Sequence, residues 1–179
     1  MLLDMIGSEV ANGATVLDIG GGIGGIDQEL LRRGASQAVL VDASPAYLEA
    51  AREEATNAGL LDRLEIVAGD FVRRAGSVAD ADIVTLDRVV CCYRAVDELV
   101  PVSAAHARRL YGLMLPRDRW YVPWLIRLEN IRYRLKRGSY RAYAHANGRV
   151  DEHVRAAGLR QRSEAFTPFW RVVLYERVD

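Results

Sequence analysis

The chain has 179 residues, 50% of them hydrophobic, and its 24 basic and 24 acidic residues give a formal net charge of zero. This length suits one domain with a continuous core, and this apolar content excludes wholesale disorder. The neutral balance argues against a generic nucleic-acid coat protein, which would be basic throughout.

Short apolar runs alternate with amphipathic stretches over the first two thirds of the chain, a pattern typical of βαβ units and a parallel sheet. The predicted elements are, in order, strand 15–19, helix 23–33, strand 37–42, helix 44–59, strand 63–68, strand 81–86, helix 96–109 and strand 110–115. Ser44 and Pro45 mark a helix start as N-cap and first helical residue. In that helix Tyr47 is expected to face inward. Pro101 is expected to begin or break the helix around it.

The last third departs from this alternation. Residues 124–137 and 149–157 are predicted helices, and 159–166 and 169–178 are predicted strands. Strands joined so closely cannot be parallel neighbours, which need a crossover of about a dozen residues. We therefore expect an α/β fold, a doubly wound Rossmann-like sheet of seven mostly parallel strands with a C-terminal antiparallel hairpin. Residues 1–179 are expected to form one domain with a basic helical insertion around 124–148.

A glycine-rich loop, residues 20–25, lies between the first strand and the following helix. Glycines lack Cβ, so they permit a tight turn and let a ligand approach the amides of a helix N-terminus. The spacing Gly20-x-Gly22-x-x-Gly25 also satisfies the dinucleotide fingerprint. A loop that serves tight packing alone is the structural alternative.

Carboxylates end four successive predicted strands; these are Asp18, Asp42, Asp70 and Asp87. Doubly wound sheets bind ligands at the carboxyl ends of their strands. Asp42 follows the glycine loop by about twenty residues, where a carboxylate can accept both ribose hydroxyls. Each acid alone could be a helix cap or a solvated loop residue. Together they indicate a nucleoside site.

Residues 16–24 resemble motif I of class I S-adenosylmethionine-dependent methyltransferases, in which an acid precedes a Gly-x-Gly-x-Gly loop. Residues 41–44, 69–71 and 86–90 resemble the family's motifs for ribose, adenine, and methionine with substrate. The resemblance, over about residues 10–179, implies S-adenosylmethionine as cofactor. It implies these binding residues: Asp18, Gly20, Gly21, Gly22, Gly24, Asp42, Ala43, Ser44, Asp70, Phe71, Asp87 and Val89.

The segment 140–145, with the short helix and aromatic strand after it, resembles magnesium-protoporphyrin methyltransferases. Those enzymes carry a His-Tyr pair after the fourth strand, where this chain has Cys92 and Tyr93. This departure puts a porphyrin substrate in doubt.

Methyl transfer from a sulfonium mainly requires alignment and the exclusion of water. Tyr93 is a candidate to position the nucleophile, and an ordinary loop aromatic is the alternative. His145 is a candidate base because its pKa is near neutral, and an exposed loop histidine is the alternative. His106, with Arg108 and Arg109, is expected on a solvated helix face. We expect no metal site.

Residues 127–149 are strongly basic and interleaved with tyrosines. The cations are Arg127, Arg132, Arg134, Lys136, Arg137, Arg141 and Arg149, against Glu129 alone. Arginines among aromatics can hold a carboxylate, a phosphate or an RNA backbone, while a solvated amphipathic helix is the bland alternative. We therefore hypothesise O-methylation of a small or medium-sized anionic acceptor. The rivals are an RNA methyltransferase, a nicotinamide-dependent oxidoreductase and a non-catalytic binding module.

The cysteines, Cys91 and Cys92, are adjacent and match no zinc motif. They are predicted to be reduced, buried thiols in a cytoplasmic protein. The first residues lack the basic and apolar regions of a signal peptide. No stretch approaches the ~20 apolar residues of a membrane span, so we expect no membrane partner.

Overall fold

The computed structural model describes residues 1–10, 13–136 and 140–178. Seven strands of this part form one sheet: β1 (Thr15–Ile19), β2 (Gln37–Asp42), β3 (Leu64–Ala68), β4 (Ala81–Asp87), β5 (Ala107–Pro116), β6 (Leu159–Phe166) and β7 (Trp170–Arg177). The strand order is β3-β2-β1-β4-β5-β7-β6. The first five strands run parallel, and β7 runs antiparallel to both β5 and β6. The predicted fold class is therefore confirmed.

The helices cover both faces of the sheet: α1 (Leu2–Ile6), α2 (Gly25–Arg32), α3 (Pro45–Asn57), α4 (Phe71–Arg74), α5 (Val96–Ala105), α6 (Val122–Leu135) and α7 (Asn147–Ala156). Successive strand residues point to opposite faces. Leu17 packs in a core with α4, α5 and α7, while Val16 packs in a second core with α1, α2 and α3. No helix in the described part of the chain is long and apolar enough to cross a bilayer.

The sheet reverses direction beside β1, and this point positions the candidate site. From β1 the chain winds outward through β2 to β3, then returns to β4 on the other side of β1. Such a switch point leaves a crevice at the carboxyl ends of the two central strands. The glycine loop between β1 and α2 lies at this crevice.

The boundary between α5 and β5 differs from the prediction. The helix expected over 96–109 ends at Ala105, and the strand expected from residue 110 begins at Ala107. Ala107 pairs with Ala81 of β4, so the sheet ladder extends the strand at the expense of the helix. Pro101 lies inside α5 and neither begins nor breaks it. The helix continues because the residues on both sides of the proline are buried against the sheet.

A charge network ties the C-terminal hairpin to α7. The Arg171 side chain on β7 is only 7% exposed. Its Nη1 lies 2.7 Å from Oδ1 of Asp151 and its Nε lies 3.0 Å from Oε2 of Glu164. The Tyr175 hydroxyl donates to the same Asp151 oxygen. One guanidinium therefore neutralises acids from two different elements, α7 and β6.

Replacing Arg171 by Met is expected to lower the free energy of unfolding by about 3 kcal/mol, because two carboxylates lose their buried partner. Arg160→Met is the matched control. Arg160 pairs with Glu176 across the same hairpin, but its side chain is 69% exposed, so its loss should cost less than about 1 kcal/mol. Urea unfolding followed by circular dichroism measures both. Equal losses of unfolding free energy in the two variants would show that the Arg171 contacts stabilise the fold no more than an exposed ion pair does.

Candidate functional site

A cleft of about 1170 Å³ opens at the carboxyl ends of β1 to β4, and we call it the strand-end cleft. Most of the predicted site residues line it: Asp18, Gly20, Gly21, Gly22, Asp42, Ala43, Asp70, Phe71, Asp87, Val89 and Tyr93. The structure thus brings together residues that the sequence spreads over 76 positions, from 18 to 93.

The glycine loop presents bare backbone to this cleft. Gly22 adopts a φ of +60°, and a Cβ placed there would meet no heavy atom within 4 Å. Its N–H donates to Oδ2 of Asp42 at 3.0 Å, which ties the loop to the end of β2. Gly20 is constrained differently, because a Cβ there would lie 2.5 Å from Cγ2 of Val89. Position 22 needs glycine for its backbone angle. Position 20 needs glycine for its backbone angle and also because Val89 packs closely against it.

Two of the predicted cofactor-binding residues, Ser44 and Gly24, lie beside the cleft and outside its described lining. Ser44 is the N-cap of α3 and accepts the Tyr47 N–H at 3.5 Å, while its own N–H donates to Oδ1 of Asp42 at 2.7 Å. Gly24 caps α2 with a φ of +83°. Tyr47 was expected to face inward, and this is wrong: its side chain is exposed and lines the cleft. The direct Asp42–Ser44 contact sets the start of α3, which turns Tyr47 toward the ligand side.

Buried carboxylates give the cleft its electrostatic character. Asp18 is fully enclosed, with Oδ1 accepting from the Thr85 hydroxyl at 2.7 Å. Its Oδ2 has no hydrogen-bond partner in the described residues, and neither does Oδ1 of Asp87. Burial raises the pKa of Asp18 well above its ordinary value, and the charge of the equally buried Asp27 is the second cause. Such unsatisfied oxygens are costly and favour a ligand that brings N–H donors or positive charge.

Tyr93 and His145 form one connected unit. The Tyr93 hydroxyl donates to both oxygens of Asp70 at 3.1 Å, and burial together with this contact raises the pKa of Tyr93 to about 12. His145 donates from Nε2 to the Tyr93 carbonyl at 2.9 Å and stacks on Tyr143. His145 lies outside the described lining of the cleft. Its geometry therefore supports a role in holding the Tyr93 loop.

Sequence reasoning missed the pair Cys92 and Tyr140. Both cysteines were expected to be buried, but Cys92 is exposed and its Sγ lies 3.1 Å from the Tyr140 hydroxyl. The Cys91 Sγ lies 3.8 Å from the Cys92 Sγ. The pKa of Cys92 is lowered to about 6. The hydrogen bond with Cys91 contributes most to this shift, and the hydrogen bond with Tyr140 and the nearby charge of Arg88 also contribute. The available signal was positional, since Cys92 replaces the histidine of the magnesium-protoporphyrin pattern.

His106 also differs from its prediction. Its ring nitrogens contact the carbonyls of Val102 at 2.9 Å and Ala75 at 3.1 Å, and its ring meets Phe71 edge-on. The expected solvated helix face is therefore wrong, because α5 ends before this residue and turns it toward α4. Phe71 itself is buried beneath the cleft, where it packs against this histidine.

A second cavity of about 360 Å³, here called the apolar chamber, borders the strand-end cleft. Its lining residues are Cys91, Pro116, Leu125, Ile126, Leu128, Glu129, Tyr133, Tyr140, Ala142, Phe169 and Trp170. Four of these, Cys91, Tyr133, Tyr140 and Trp170, line the cleft as well. The two cavities are therefore neighbours that share one wall.

The cations that predicted an anionic acceptor lie elsewhere on the helix. Arg127, Arg132, Arg134 and Lys136 are exposed, and the described lining of the chamber includes none of them. Arg137 lies outside the described residues. Among the described residues that line the strand-end cleft, Arg88 is the one cation. Arg88 has a φ of +60°, and its Nη2 lies 3.2 Å from Oδ2 of Asp87.

This sheet, its glycine turn and its acidic strand ends define a nucleotide-binding α/β protein. A family model described as a methyltransferase domain matches residues 16–111, which is more than half of the chain. The chain therefore belongs to the methyltransferase-domain family, as a class I S-adenosylmethionine-dependent methyltransferase with S-adenosylmethionine as its cofactor. No curated protein matches the sequence.

Solved structures share the fold at low identity. Magnesium protoporphyrin IX methyltransferase from Synechocystis PCC 6803, solved with SAH bound, has a TM-score of 0.77 at 19% identity, over 98% of this chain and 83% of that one. An O-methyltransferase family protein from Burkholderia thailandensis has a TM-score of 0.77 at 22% identity, over 98% and 55% of the chains.

An O-methyltransferase family 2 protein from Planctomyces limnophilus DSM 3776, in complex with apigenin, has a TM-score of 0.72 at 22% identity, over 93% and 51%. The chain thus spans little more than half the length of the two O-methyltransferase family proteins. At these identities the matches establish the shared fold.

Gly22→Ala is expected to weaken S-adenosylhomocysteine binding at least tenfold, or about 1.4 kcal/mol, because the added methyl projects into the ligand's approach. Gly59→Ala is the matched control. Gly59 has a φ of +67° and equally open surroundings, but it follows α3 far from the cleft. Both variants should lose about 1–2 kcal/mol of stability. Isothermal titration calorimetry should show weaker binding for Gly22→Ala alone; equal affinities would contradict the loop's assignment.

Alkylation of Cys92 by iodoacetamide is expected to reach half its maximal rate near pH 6, because the thiolate is the reacting form and the pKa is lowered to about 6. Tyr140→Phe should move this midpoint upward by removing a hydrogen bond to the thiolate. Tyr133→Phe is the control, since its ring packs on Tyr140 without a described contact to the thiol. Mass spectrometry follows each site. A wild-type midpoint near pH 8.5 would show an ordinary cysteine.

Proposed function

We propose that the chain methylates an oxygen atom of a small or medium-sized acceptor that carries an anionic group. The observation that supports this most directly is that the strand-end cleft and the apolar chamber share four lining residues. A methyl donor in the first and an acceptor in the second would lie next to each other beside Cys91, Tyr140 and Trp170.

The strand-end cleft suits the cofactor residue by residue. Asp42 would hold the ribose, the residues 69–71 would hold the adenine, and Gly22, which has no side chain, would leave room for the ligand beside Asp42. The unpaired oxygens of Asp18 and Asp87 offer acceptors for an ammonium group. When bound, S-adenosylmethionine supplies a methyl carbon already activated by its sulfonium.

The chamber suits an acceptor whose body is apolar. Most of its described lining is aliphatic or aromatic, and Glu129 is the charged residue in it. Arg88 lines the cleft and pairs with Asp87, and its side chain is still 60% exposed and therefore accessible to a ligand. A guanidinium binds a carboxylate through two parallel hydrogen bonds. We place the acceptor's anionic group at Arg88, which replaces the α6 cations in this role.

The acceptor's nucleophilic atom decides whether a base is needed. A carboxylate attacks without losing a proton, whereas a hydroxyl must release one. Cys92 is the side chain positioned to receive it, because it lines the cleft next to Tyr140 and its lowered pKa favours the thiolate. Tyr93 and His145, the candidates from the sequence, act as positioning residues in this scheme. They hold the loop that carries Cys92.

Transfer of a labelled methyl group from S-adenosylmethionine is expected for aromatic hydroxy acids and carboxylic acids, with little transfer to their neutral amides. Arg88→Gln should raise the acceptor KM about tenfold while kcat changes little, because a charge-assisted ground-state contact is lost. Arg94→Gln is the control, an exposed arginine of the same loop that is absent from the described cleft lining. Radiometric assay of the extracted product measures both parameters.

Three results would contradict the proposal in different ways. Equal transfer to acids and amides would remove the anionic acceptor. Transfer to RNA alone would favour an RNA methyltransferase. Binding of S-adenosylhomocysteine without transfer to any acceptor would favour a non-catalytic binding module.

A further inference from the structure

The outer face of α6 carries a stripe of exposed apolar side chains. Trp124, Leu128, Ile131 and Leu135 are between 55% and 80% exposed, and Trp120, just before the helix, is 83% exposed. The spacing of four, three and four residues places the four helical members on one face. Isolated apolar residues on a surface are ordinary, but a continuous stripe of this kind marks an interaction site.

The stripe points away from the rest of the protein. Val122 and Ile126, on the opposite side of the helix, are buried, and Tyr133 on that side lines the apolar chamber. The helix therefore has two apolar faces. The inner face is satisfied by packing within the chain, and the outer face is not.

Cations border the stripe on both sides. At 3.6 residues per turn, Arg127 and Arg134 fall along one edge, and Arg132 and Lys136 fall along the other. Between residues 122 and 136 the one acid is Glu129, so these four cations leave a net charge of three positive. Glu129 pairs with Arg132 at 2.8 Å and lies on the chamber side. A chain with zero net charge thus concentrates positive charge beside its most exposed apolar surface.

We propose that this outer face of α6 docks on the surface of an anionic lipid bilayer. Tryptophan and leucine side chains insert at the boundary between headgroups and acyl chains, while flanking arginines and lysines reach the lipid phosphates. The helix lies in the plane of the surface. Its 14 residues give a length of about 21 Å, enough for several headgroups along each edge.

The same features disfavour two other occupants. A second copy of this chain would pair the face with itself about a twofold axis, which sets basic edges against basic edges. RNA would use the cations and could stack a base on Trp124, but the rest of the stripe, Leu128, Ile131 and Leu135, is aliphatic and offers no further stacking surface. An anionic bilayer satisfies both the apolar centre and the positive edges.

Docking would place the acceptor site near the lipid surface. Leu128 belongs to the stripe and also lines the apolar chamber, so the chamber borders one edge of the docked face. An acceptor with an apolar body and an anionic group partitions to that same interface. This consequence rests on the proposed function, whereas the docking itself does not.

Co-sedimentation with sucrose-loaded vesicles tests the docking with the complete chain. Vesicles of phosphatidylglycerol mixed with phosphatidylcholine should bind the protein at least tenfold more tightly than phosphatidylcholine alone, and 0.5 M salt should weaken the binding. The double variant Ile131→Ser/Leu135→Ser should lose at least tenfold in partitioning. Both residues are exposed and outside the described lining of either cavity, so folding and S-adenosylhomocysteine binding should be retained.

A charge-matched pair of variants isolates the basic edges. Arg127→Gln/Arg134→Gln should reduce binding to the anionic vesicles about tenfold, while Arg52→Gln/Arg155→Gln, which removes two exposed cations elsewhere, should change it less than threefold. Tryptophan emission should shift to shorter wavelength on binding in a Trp170→Phe background, which leaves Trp120 and Trp124.

Absence of binding to anionic vesicles would overturn the docking proposal, even if cofactor binding is intact. A dimer in sedimentation velocity that Ile131→Ser/Leu135→Ser dissolves would also overturn it, because the stripe would then be covered by a second copy. Salt-sensitive RNA binding lost in Arg127→Gln/Arg134→Gln, without vesicle binding, would assign the edges to RNA instead. Failure of the proposed function would leave vesicle binding unchanged, so the two proposals fail separately.

Discussion

The hydrogen bond from the Gly22 amide to the Asp42 carboxylate ties together the two halves of the strand-end cleft. It connects the turn after β1 to the end of β2, and the second oxygen of Asp42 holds the start of α3 through Ser44. One carboxylate therefore sets the positions of two helix N-termini. This arrangement requires a left-handed residue without a side chain at position 22, since a Cβ would stand in the space that the ligand must occupy.

The cost of the site lies in its carboxylates. Asp18 and Asp27 are both enclosed, and each has an oxygen without a hydrogen-bond partner in the described residues. Burial raises the pKa of both, to about 6 for Asp27. A ligand with an ammonium group and a sulfonium offsets this cost, because positive charge and N–H donors favour the ionised carboxylate. The same buried carboxylates that destabilise the fold thus favour a cationic cofactor over a neutral one.

Local signals account for what the sequence could predict. The first four strands and the glycine turn are encoded within a few neighbouring residues, and these strands begin and end within one residue of the predicted positions. The four acids lie in or just after the carboxyl ends of these strands. The errors concern residues whose surroundings come from distant parts of the chain. Ala107 joins β5 because Ala81 pairs with it, and Cys92 gains its low pKa partly from Tyr140, 48 residues away. Propensity and spacing carry no information about such partners.

The basic segment shows how one sequence pattern can merge two surfaces. Cations and aromatics alternate between 127 and 149, and from spacing alone they suggested one anion-binding cover over the pocket. In the structure, the cations and aromatics of α6 lie on different faces of the helix. Tyr133 turns into the apolar chamber, while Arg127 and Arg134 turn outward beside Leu135. In the proposed function, recognition of the acceptor's charge therefore falls to Arg88, and the cations of α6 are left for the proposed lipid surface. Because Leu128 belongs to the outer face and also lines the chamber, a partner docked on that face would lie at the edge of the chamber.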